Sequence, residues 1–158
     1  MNVESIMTPS PYCATGNATI SEIARIMAEH EIGVVPIVNG ENRVVGILTD
    51  RDICKAIAAA NRPACDMPAT GIASKPVISC GPKEELESAL RTMRLHHIRR
   101  LPVVDGHGKL LGILSIDDVV LRSEEAMETG QVSFGDAVRT LKAIYGERPP
   151  RRKRTTPS

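Results

Sequence analysis

Aromatic residues are nearly absent from this 158-residue chain. Tyr12, Tyr145 and Phe134 are the whole set, and there is no tryptophan. The core must therefore be built from aliphatic side chains. A base-stacking platform for single-stranded nucleic acid needs several aromatic faces, and this composition excludes one. Long apolar runs are missing too: no stretch of about 18 consecutive apolar residues occurs, which excludes a membrane-spanning helix. The first residues show no basic region followed by an apolar one, so no secretory signal is read there, and the cytoplasm is the expected compartment. The four cysteines, Cys13, Cys54, Cys65 and Cys80, include no pair at CxxC spacing. A zinc knuckle or a thioredoxin-type site would use that spacing, and reduced thiols are the expectation. Neither a Gly-x-Gly-x-x-Gly turn nor a Walker-type lysine loop is present. No nucleophile stands at a spacing that marks its base. No enzymatic activity is expected.

Charge is nearly balanced overall but unevenly placed. Residues 147–158 hold Arg148, Arg151, Arg152, Lys153 and Arg154 against Glu147, a net +4; the whole chain is +1, which leaves −3 for residues 1–146. A basic face for duplex DNA is therefore not expected on the folded part. The end of the chain, after Pro149 and Pro150, reads as a disordered basic tail.

What the sequence does contain is a duplication. Residues 6–53 align without gaps on 72–119 at an offset of 66, with 12 identities in 48 positions, against roughly three by chance. Pro36/Pro102, Gly46/Gly112 and Asp52/Asp118 are among the pairs. Each unit opens with an extended, proline-containing segment, which disfavours helix. A helix follows. In the first unit Thr19-Ile20-Ser21-Glu22 is a capping box, with Ile20, Ile23, Ala24 and Met27 on one face; Leu86, Ala89, Leu90 and Met93 play the same part in the second. Next comes a hairpin, Val34 to Val38 and Arg43 to Leu48 around Asn39-Gly40-Glu41-Asn42, matched by Leu101 to Val104 and Lys109 to Leu114 around Asp105-Gly106-His107-Gly108. Pro36 and Pro102 cannot donate to a ladder, so each is expected at a strand end or a free edge. A second helix follows, with Ile53, Ala56, Ile57 and Ala60 as its inner face in the first unit. One β-α-β-β-α unit is too small to bury both faces of its sheet. Two of them packed sheet to sheet about a pseudo-two-fold axis solve that problem. The expected organisation is repeat one at 1–60, a linker at 61–71, repeat two at 72–122 and a helical extension at 123–147 before the tail. The apolar positions Val138, Leu141, Ile144 and Tyr145 mark a helix near 133–145 that is too short to stand alone; it should dock on the module or on a partner subunit.

Two corners carry the chemistry: Gly46-Ile47-Leu48-Thr49-Asp50-Arg51-Asp52-Ile53 and Gly112-Ile113-Leu114-Ser115-Ile116-Asp117-Asp118-Val119. In each, a hydroxyl and a carboxylate stand three residues apart where a strand becomes a helix. A carboxylate accepts two hydrogen bonds at once and so suits the vicinal hydroxyls of a ribose. A helix N-terminus favours phosphate. The bland alternative is that these pairs are helix caps needing no ligand.

These corners, each preceded by a proline-containing strand (Ile32-Gly33-Val34-Val35-Pro36-Ile37-Val38 and Ile98-Arg99-Arg100-Leu101-Pro102-Val103-Val104), resemble the CBS-domain family, specifically a tandem pair or Bateman module. The resemblance covers residues 1–122. It implies an α/β (α+β) fold and a non-enzymatic regulatory module of signal transduction that binds an adenosine-containing ligand (AMP, ADP, ATP, S-adenosylmethionine or NAD) in clefts between the repeats. It implies Thr49, Asp52, Ser115 and Asp118 as ribose or phosphate contacts, and adenine or backbone contacts along the strands at Val34, Val35, Ile47 and Ile113. No cofactor is required, and a homodimer is implied. Arg99 and Arg100 stand where the first repeat has Gly33 and Val34, and two guanidiniums there can hold phosphates. The expected phosphate-accepting site is therefore Thr49, Asp52, Arg100 and Arg99, with Ser115 and Asp118 serving a more neutral or empty cleft. Two other classes remain open: a ligand-independent dimerising scaffold with an unidentified protein partner, and a redox or metal sensor built on Cys13 and Cys80 or on His30, His96 and His97.

Overall fold

The computed structural model describes residues 1–127 and 134–146; the basic tail expected at 148–158 lies outside the described residues. In chain order the elements are β1 (Thr8–Pro9), β2 (Ala14–Thr15), α1 (Ile20–Glu29), β3 (Val34–Val38), β4 (Val44–Thr49), α2 (Asp50–Ala59), α3 (Leu86–His96), β5 (Arg100–Val104), β6 (Leu110–Ser115), α4 (Ile116–Met127) and α5 (Phe134–Gly146). Three-residue 3₁₀ turns stand at Val3–Ser5, Ala64–Asp66 and Ala69–Gly71.

Local chemistry accounts for the boundaries. At the start of α1, Glu22 N–H donates to Thr19 Oγ1 at 3.3 Å and Thr19 N–H to Glu22 Oε2 at 2.7 Å. The Thr19 N–H, and more weakly the Thr19 hydroxyl donating to the same Glu22 Oε2 at 3.0 Å, hold the Glu22 carboxyl below its ordinary range. Ile20, Ile23 and Met27 are buried on one face of α1, as Leu86, Ala89, Leu90 and Met93 are on α3. Each fully buried Ile or Leu contributes roughly 1.5–3 kcal/mol. Equivalent residues Glu31 and His97 both turn left-handed just beyond the helices, at φ 53°. Helix α2 departs from expectation. Its main neighbours are α1 and β4, and Ile53 is its one buried residue; Ile57, expected on the inner face, is 47% exposed.

The strands form two three-stranded sheets, β2-β3-β4 with β2 parallel to β3 and β1-β6-β5 with β1 antiparallel to β6, and isolated bridges at Cys80–Val103 and Ile47–Ser74 stand in for the missing mate of each. The hairpins are in equivalent register, Pro36 opposite Ile47 and Pro102 opposite Ile113, each with a shift at the same place. Both prolines lie in mid-strand and not at a strand end. Their ladder is not broken, because the polar side of each proline faces the short opening strand: Cys80 N–H donates to Pro102 O at 3.0 Å, and β2 reaches only Ile37 and Val38. Strand β3 is buried at every position. Val35 and Ile37 join the helix-facing core of repeat one, whereas Val34 and Val38 belong to neither helix-facing core and face between the repeats. The two hairpins meet at an Arg43–Lys109 bridge, with Val44 N–H donating to Gly108 O and Leu110 N–H to Asn42 O, both at 3.0 Å. These are pseudo-two-fold mates.

Each repeat lends its opening to the other. Val3 and Ile6 are buried in the core of repeat two, with Val3 N–H donating to Glu84 O at 3.0 Å. Met67 and Ala69 are buried in the core of repeat one, with Ala69 N–H donating to Ala18 O at 2.9 Å. The stretch 61–71 is therefore more than a linker. Its second half is the counterpart of residues 1–5, and its buried side chains complete the neighbouring core. Strand β1 pairs with β6, Thr8 opposite Ile113, and Ser74 forms the mate bridge to Ile47. This crossing explains the corner glycines. A Cβ at Gly112 would stand 2.6 Å from Met7 Sδ and 2.9 Å from Thr8 O; one at Gly46 would stand 2.8 Å from the Ala73 Cβ. The close approach is made by the exchanged segment, through the Met7 side chain and Thr8 carbonyl at Gly112 and the Ala73 methyl at Gly46.

Helix α5 docks on this same chain. Ala137, Thr140 and Ile144 are buried at helical spacing, Ala137 joins the core of repeat two, and the helix lies against α3 and α4. Cys13 is exposed and Cys80 is buried in the core of repeat two, so the sulfur pairing left open above is not made. Desolvation, with a smaller push from Glu84, raises the Cys80 thiol to about 12.

Two outcomes follow for stability and reactivity. Gly112→Ala should lower the unfolding free energy by roughly 1–3 kcal/mol through overpacking. Gly40→Ala, where a Cβ meets nothing within 4 Å, should stay within about 0.5 kcal/mol; equal urea midpoints for the two would contradict the exchange geometry. An aromatic disulfide reagent at neutral pH should titrate the exposed Cys13, Cys54 and Cys65 and reach Cys80 only after denaturation. The folded chain keeps the Cys80 proton where an unfolded thiol with its ordinary value of 9.0 releases it. Stability should therefore decline as pH climbs from about 9 towards 12.

Candidate functional site

Thr49 is the last residue of β4 and the N-cap of α2, in extended conformation. Its hydroxyl donates to Asp52 Oδ2 at 2.6 Å, Thr49 N–H donates to the same oxygen at 3.1 Å, and Asp52 N–H donates back to Thr49 Oγ1 at 3.2 Å. The second corner repeats this: Ser115 Oγ and Ser115 N–H both donate to Asp118 Oδ2 at 2.7 Å, and Asp118 N–H returns to Ser115 Oγ at 3.1 Å. All four residues are half-buried. Both pairs are therefore capping boxes, and the cap reading of the sequence holds as local structure. In each box one carboxylate oxygen, Oδ2, is consumed. The other is what the corner has left to offer.

The corners differ at that second oxygen. Thr8, brought over on the exchanged opening, donates from Oγ1 to Asp118 Oδ1 at 3.4 Å. Its repeat mate Ser74 makes no such bond; among the described residues Asp52 Oδ1 has no hydrogen-bond partner. Ser74 instead donates its N–H to Ile47 O at 2.9 Å and is exposed beside β4. Thr8 and Ser74 were not singled out from the sequence. The offset of 66 pairs them as hydroxyl for hydroxyl, but nothing local shows that each opening crosses to the other repeat.

The two arginines part company. Arg100 is the first residue of β5, and Arg99 lies in the bend just before it. The Arg100 guanidinium turns between the repeats: its Nη2 lies 3.9 Å from Asp117 Oδ2 and 4.0 Å from the position a Cβ of Gly33 would take, a position 3.2 Å from Asp50 Oδ2. Gly33 O accepts from Asp50 N–H at 3.3 Å, so Arg100 of repeat two arrives at the Thr49 corner of repeat one. Arg99 goes the other way. Its Nη1 donates to the Tyr145 hydroxyl of α5 at 2.9 Å, with the guanidinium 6.0 Å from that ring. The expectation of two guanidiniums in one cleft is corrected to one.

Of the adenine or backbone contacts expected along the strands, Val34, Ile47 and Ile113 belong to neither helix-facing core and line the region between the repeats. The Val35 side chain is fully buried in the helix-facing core of repeat one, so any contact it makes in the cleft is through its backbone. The histidines also have other occupations: His30 stacks on Tyr12 with centroids 3.6 Å apart, and His97 Nδ1 lies 3.1 Å from Ala143 O. An open groove of about 620 Å³ was not foreseen. It is lined by residues including Cys13, Asn17, Arg25 and Glu29 and lies at the β2 edge, across the sheet from Thr49.

Comparison with known proteins agrees with this geometry. The family model of the CBS domain matches twice, at residues 3–59 and 69–125. The second match begins inside the stretch 61–71. An uncharacterized 17.7 kDa protein of Acidianus ambivalens is 36% identical over 140 residues, covering 89% of this chain and 82% of that protein. The CBS domain-containing protein YhcV of Bacillus subtilis is 35% identical over 120 residues, 76% of this chain and 84% of that one. Among solved structures, the CBS domain pair of protein MJ0100, in complex with 5'-methylthioadenosine and S-adenosyl-L-methionine, superposes with a TM-score of 0.71 at 29% identity, covering 79% of this chain and 97% of that one. The chain belongs to the CBS-domain family, as a tandem pair of CBS domains followed by a docked C-terminal helix.

Proposed function

We propose that the cleft at Thr49, Asp52 and Arg100 binds an adenosine-containing ligand and that the protein is a non-enzymatic regulatory module responding to it. The observation that carries this reading is an unengaged Asp52 Oδ1 in the same corner, at Gly33 and Asp50, to which the other repeat delivers a single guanidinium. A ribose presents two neighbouring hydroxyls, and a free carboxylate oxygen accepts from them. Arg100 supplies the phosphate contact from the opposite wall, as a fork suited to two oxygens. Adenine is held between the sheets against Val34 and Ile47. The bound adenosine compounds of MJ0100 belong to the same chemical class.

The second corner, Ser115 and Asp118 with Ile113, is the weaker site. Thr8 occupies Asp118 Oδ1, and Gly33 and Val34 bring no charge where repeat two has Arg99 and Arg100. One ligand per chain is the expected stoichiometry. The ligand acts by favouring one conformation or assembly of the module, in the cytoplasm and in a homodimer, over another.

Calorimetry with AMP, ADP, ATP, S-adenosylmethionine and NAD tests this. A charge-assisted hydrogen bond contributes about 1.5–3 kcal/mol, so Asp52→Asn and Arg100→Ala should each weaken binding roughly tenfold or more, while Asp118→Asn should change it less than about threefold. Absence of binding by every adenosine compound would sink the reading and favour a ligand-independent scaffold. Thr49→Ala separates cap from site: losing the cap should lower stability of the ligand-free protein by about 1 kcal/mol, measured by urea unfolding, beyond any effect on affinity.

A further inference from the structure

Helix α5 has no counterpart in repeat one, and its polar contacts with repeat two include three from α3 and the residues just after it. Arg94 Nη1 donates to Thr140 Oγ1 at 3.1 Å, and that hydroxyl donates to Asp136 O at 2.8 Å. His97 Nδ1 meets Ala143 O at 3.1 Å, and Arg99 Nη1 donates to Tyr145 Oη at 2.9 Å. The equivalent positions in repeat one are Ala28, Glu31 and Gly33, none of which reproduces these anchors. The last two fastenings come from the short connection between α3 and β5. That connection is also where Arg100 departs towards the cleft. Four consecutive residues, 97–100, therefore carry two anchors for α5 on one face and the cleft cation on the other. His97 and Arg99 belong to the turn and bend after α3, whereas Arg100 is the first residue of β5, and the split falls at that boundary. The connection is further tied to the start of α4, because Arg99 O accepts from Ile116 N–H at 2.9 Å.

Arg100 itself is weakly held. Its ion pair with Asp117 is 3.9 Å long, beyond hydrogen-bond distance, and its side chain keeps 27% of its exposure. A phosphate in the cleft would give this guanidinium two short, directional partners and so order the backbone that bears it. The same backbone positions His97 and Arg99. Ordering done for one partner need not be repeated for the other, which makes the two events favour each other.

We infer that residues 97–100 couple the cleft to α5, so that a phosphate-bearing adenosine ligand tightens the docking of α5 on α3 and α4, and docked α5 tightens ligand binding. This rests on the nucleotide reading of the Thr49, Asp52 and Arg100 cleft. Tyr145 and Arg99 act as positioning residues, since neither meets the ligand. Linkage makes the effect reciprocal: whatever factor α5 adds to ligand affinity, the ligand adds to α5 docking.

The test uses the full chain with AMP and ATP as probes and adenosine as the phosphate-free control. Hydrogen exchange of the α5 amides is followed with and without each compound, and calorimetry compares the native protein with Tyr145→Phe. That variant removes one hydroxyl, keeps the ring and leaves the cleft untouched. The expected result is slower exchange across 140–146 with AMP or ATP and not with adenosine, together with a severalfold weaker affinity for AMP or ATP in Tyr145→Phe. AMP or ATP binding to native and variant with equal affinity, with exchange of α5 unchanged by ligand, would overturn the coupling and leave the nucleotide site standing. A loss of thermal stability in Tyr145→Phe with unchanged affinity would mark the contact as merely structural and would overturn it equally. If neither AMP nor ATP binds the native protein, the phosphate site and the coupling fall together.

Discussion

The close approach of each opening segment to the other repeat is the constraint on which the rest of this structure depends. Gly112 receives Met7 and Thr8, and Gly46 receives Ala73 and Ser74. Through these crossings Val3 and Ile6 fill the core of repeat two, and Met67 and Ala69 fill that of repeat one. Neither half can complete its hydrophobic interior alone. A unit of this size buries too small a fraction of its surface for independent stability, and the exchange turns two marginal units into one. It also brings Thr8 beside Asp118 and Ser74 beside Ile47, so the packing solution and the chemistry of the clefts are the same event.

Symmetry sets up two corners, and small departures from it make them unequal. The capping boxes at Thr49 and Ser115 are nearly superimposable in their hydrogen bonds. Each spends one carboxylate oxygen on its helix N-terminus, which satisfies backbone donors that would otherwise be orphaned. Structure and binding are therefore not rival explanations for these residues. The cap fixes the rotamer of the acid, and whatever approaches the second oxygen decides what the corner does. Thr8 against Asp118 and the arrival of Arg100 beside Gly33 are the decisive differences.

Helix α5 adds a second asymmetry. Its buried stripe of Ala137, Thr140 and Ile144 covers α3 and α4, whereas α2 in repeat one stays largely uncovered, with Ile57 at 47% exposure. The burial of Thr140 is satisfied by Asp136 O and Arg94, as a buried hydroxyl requires. The helix and the cleft thus share one short connection.

Much of this was legible in the residues. The offset of 66, the turn residues at Asn42 and Gly108, the Thr19–Glu22 box and the hydroxyl–acid spacing of both corners are local patterns, and local patterns survive in a one-dimensional string. They determine two β-α-β-β-α repeats and the positions where ligand chemistry is concentrated. Three matters were settled only in space. The first is that residues 67–71 belong to the core of repeat one, a contact between segments some 50 residues apart that leaves no periodic trace. The second is that Arg99 and Arg100, adjacent in sequence and equal in charge, go to opposite sides, Arg99 from the bend before β5 to Tyr145 of α5 and Arg100 from the first strand position to the region of Gly33. The third is that Val35, apolar like Val34, is turned into the helix-facing core. Sequence specifies which groups are present and how they are spaced along an element. Which of them meet is decided by the exchange of the openings and by the face on which each residue emerges.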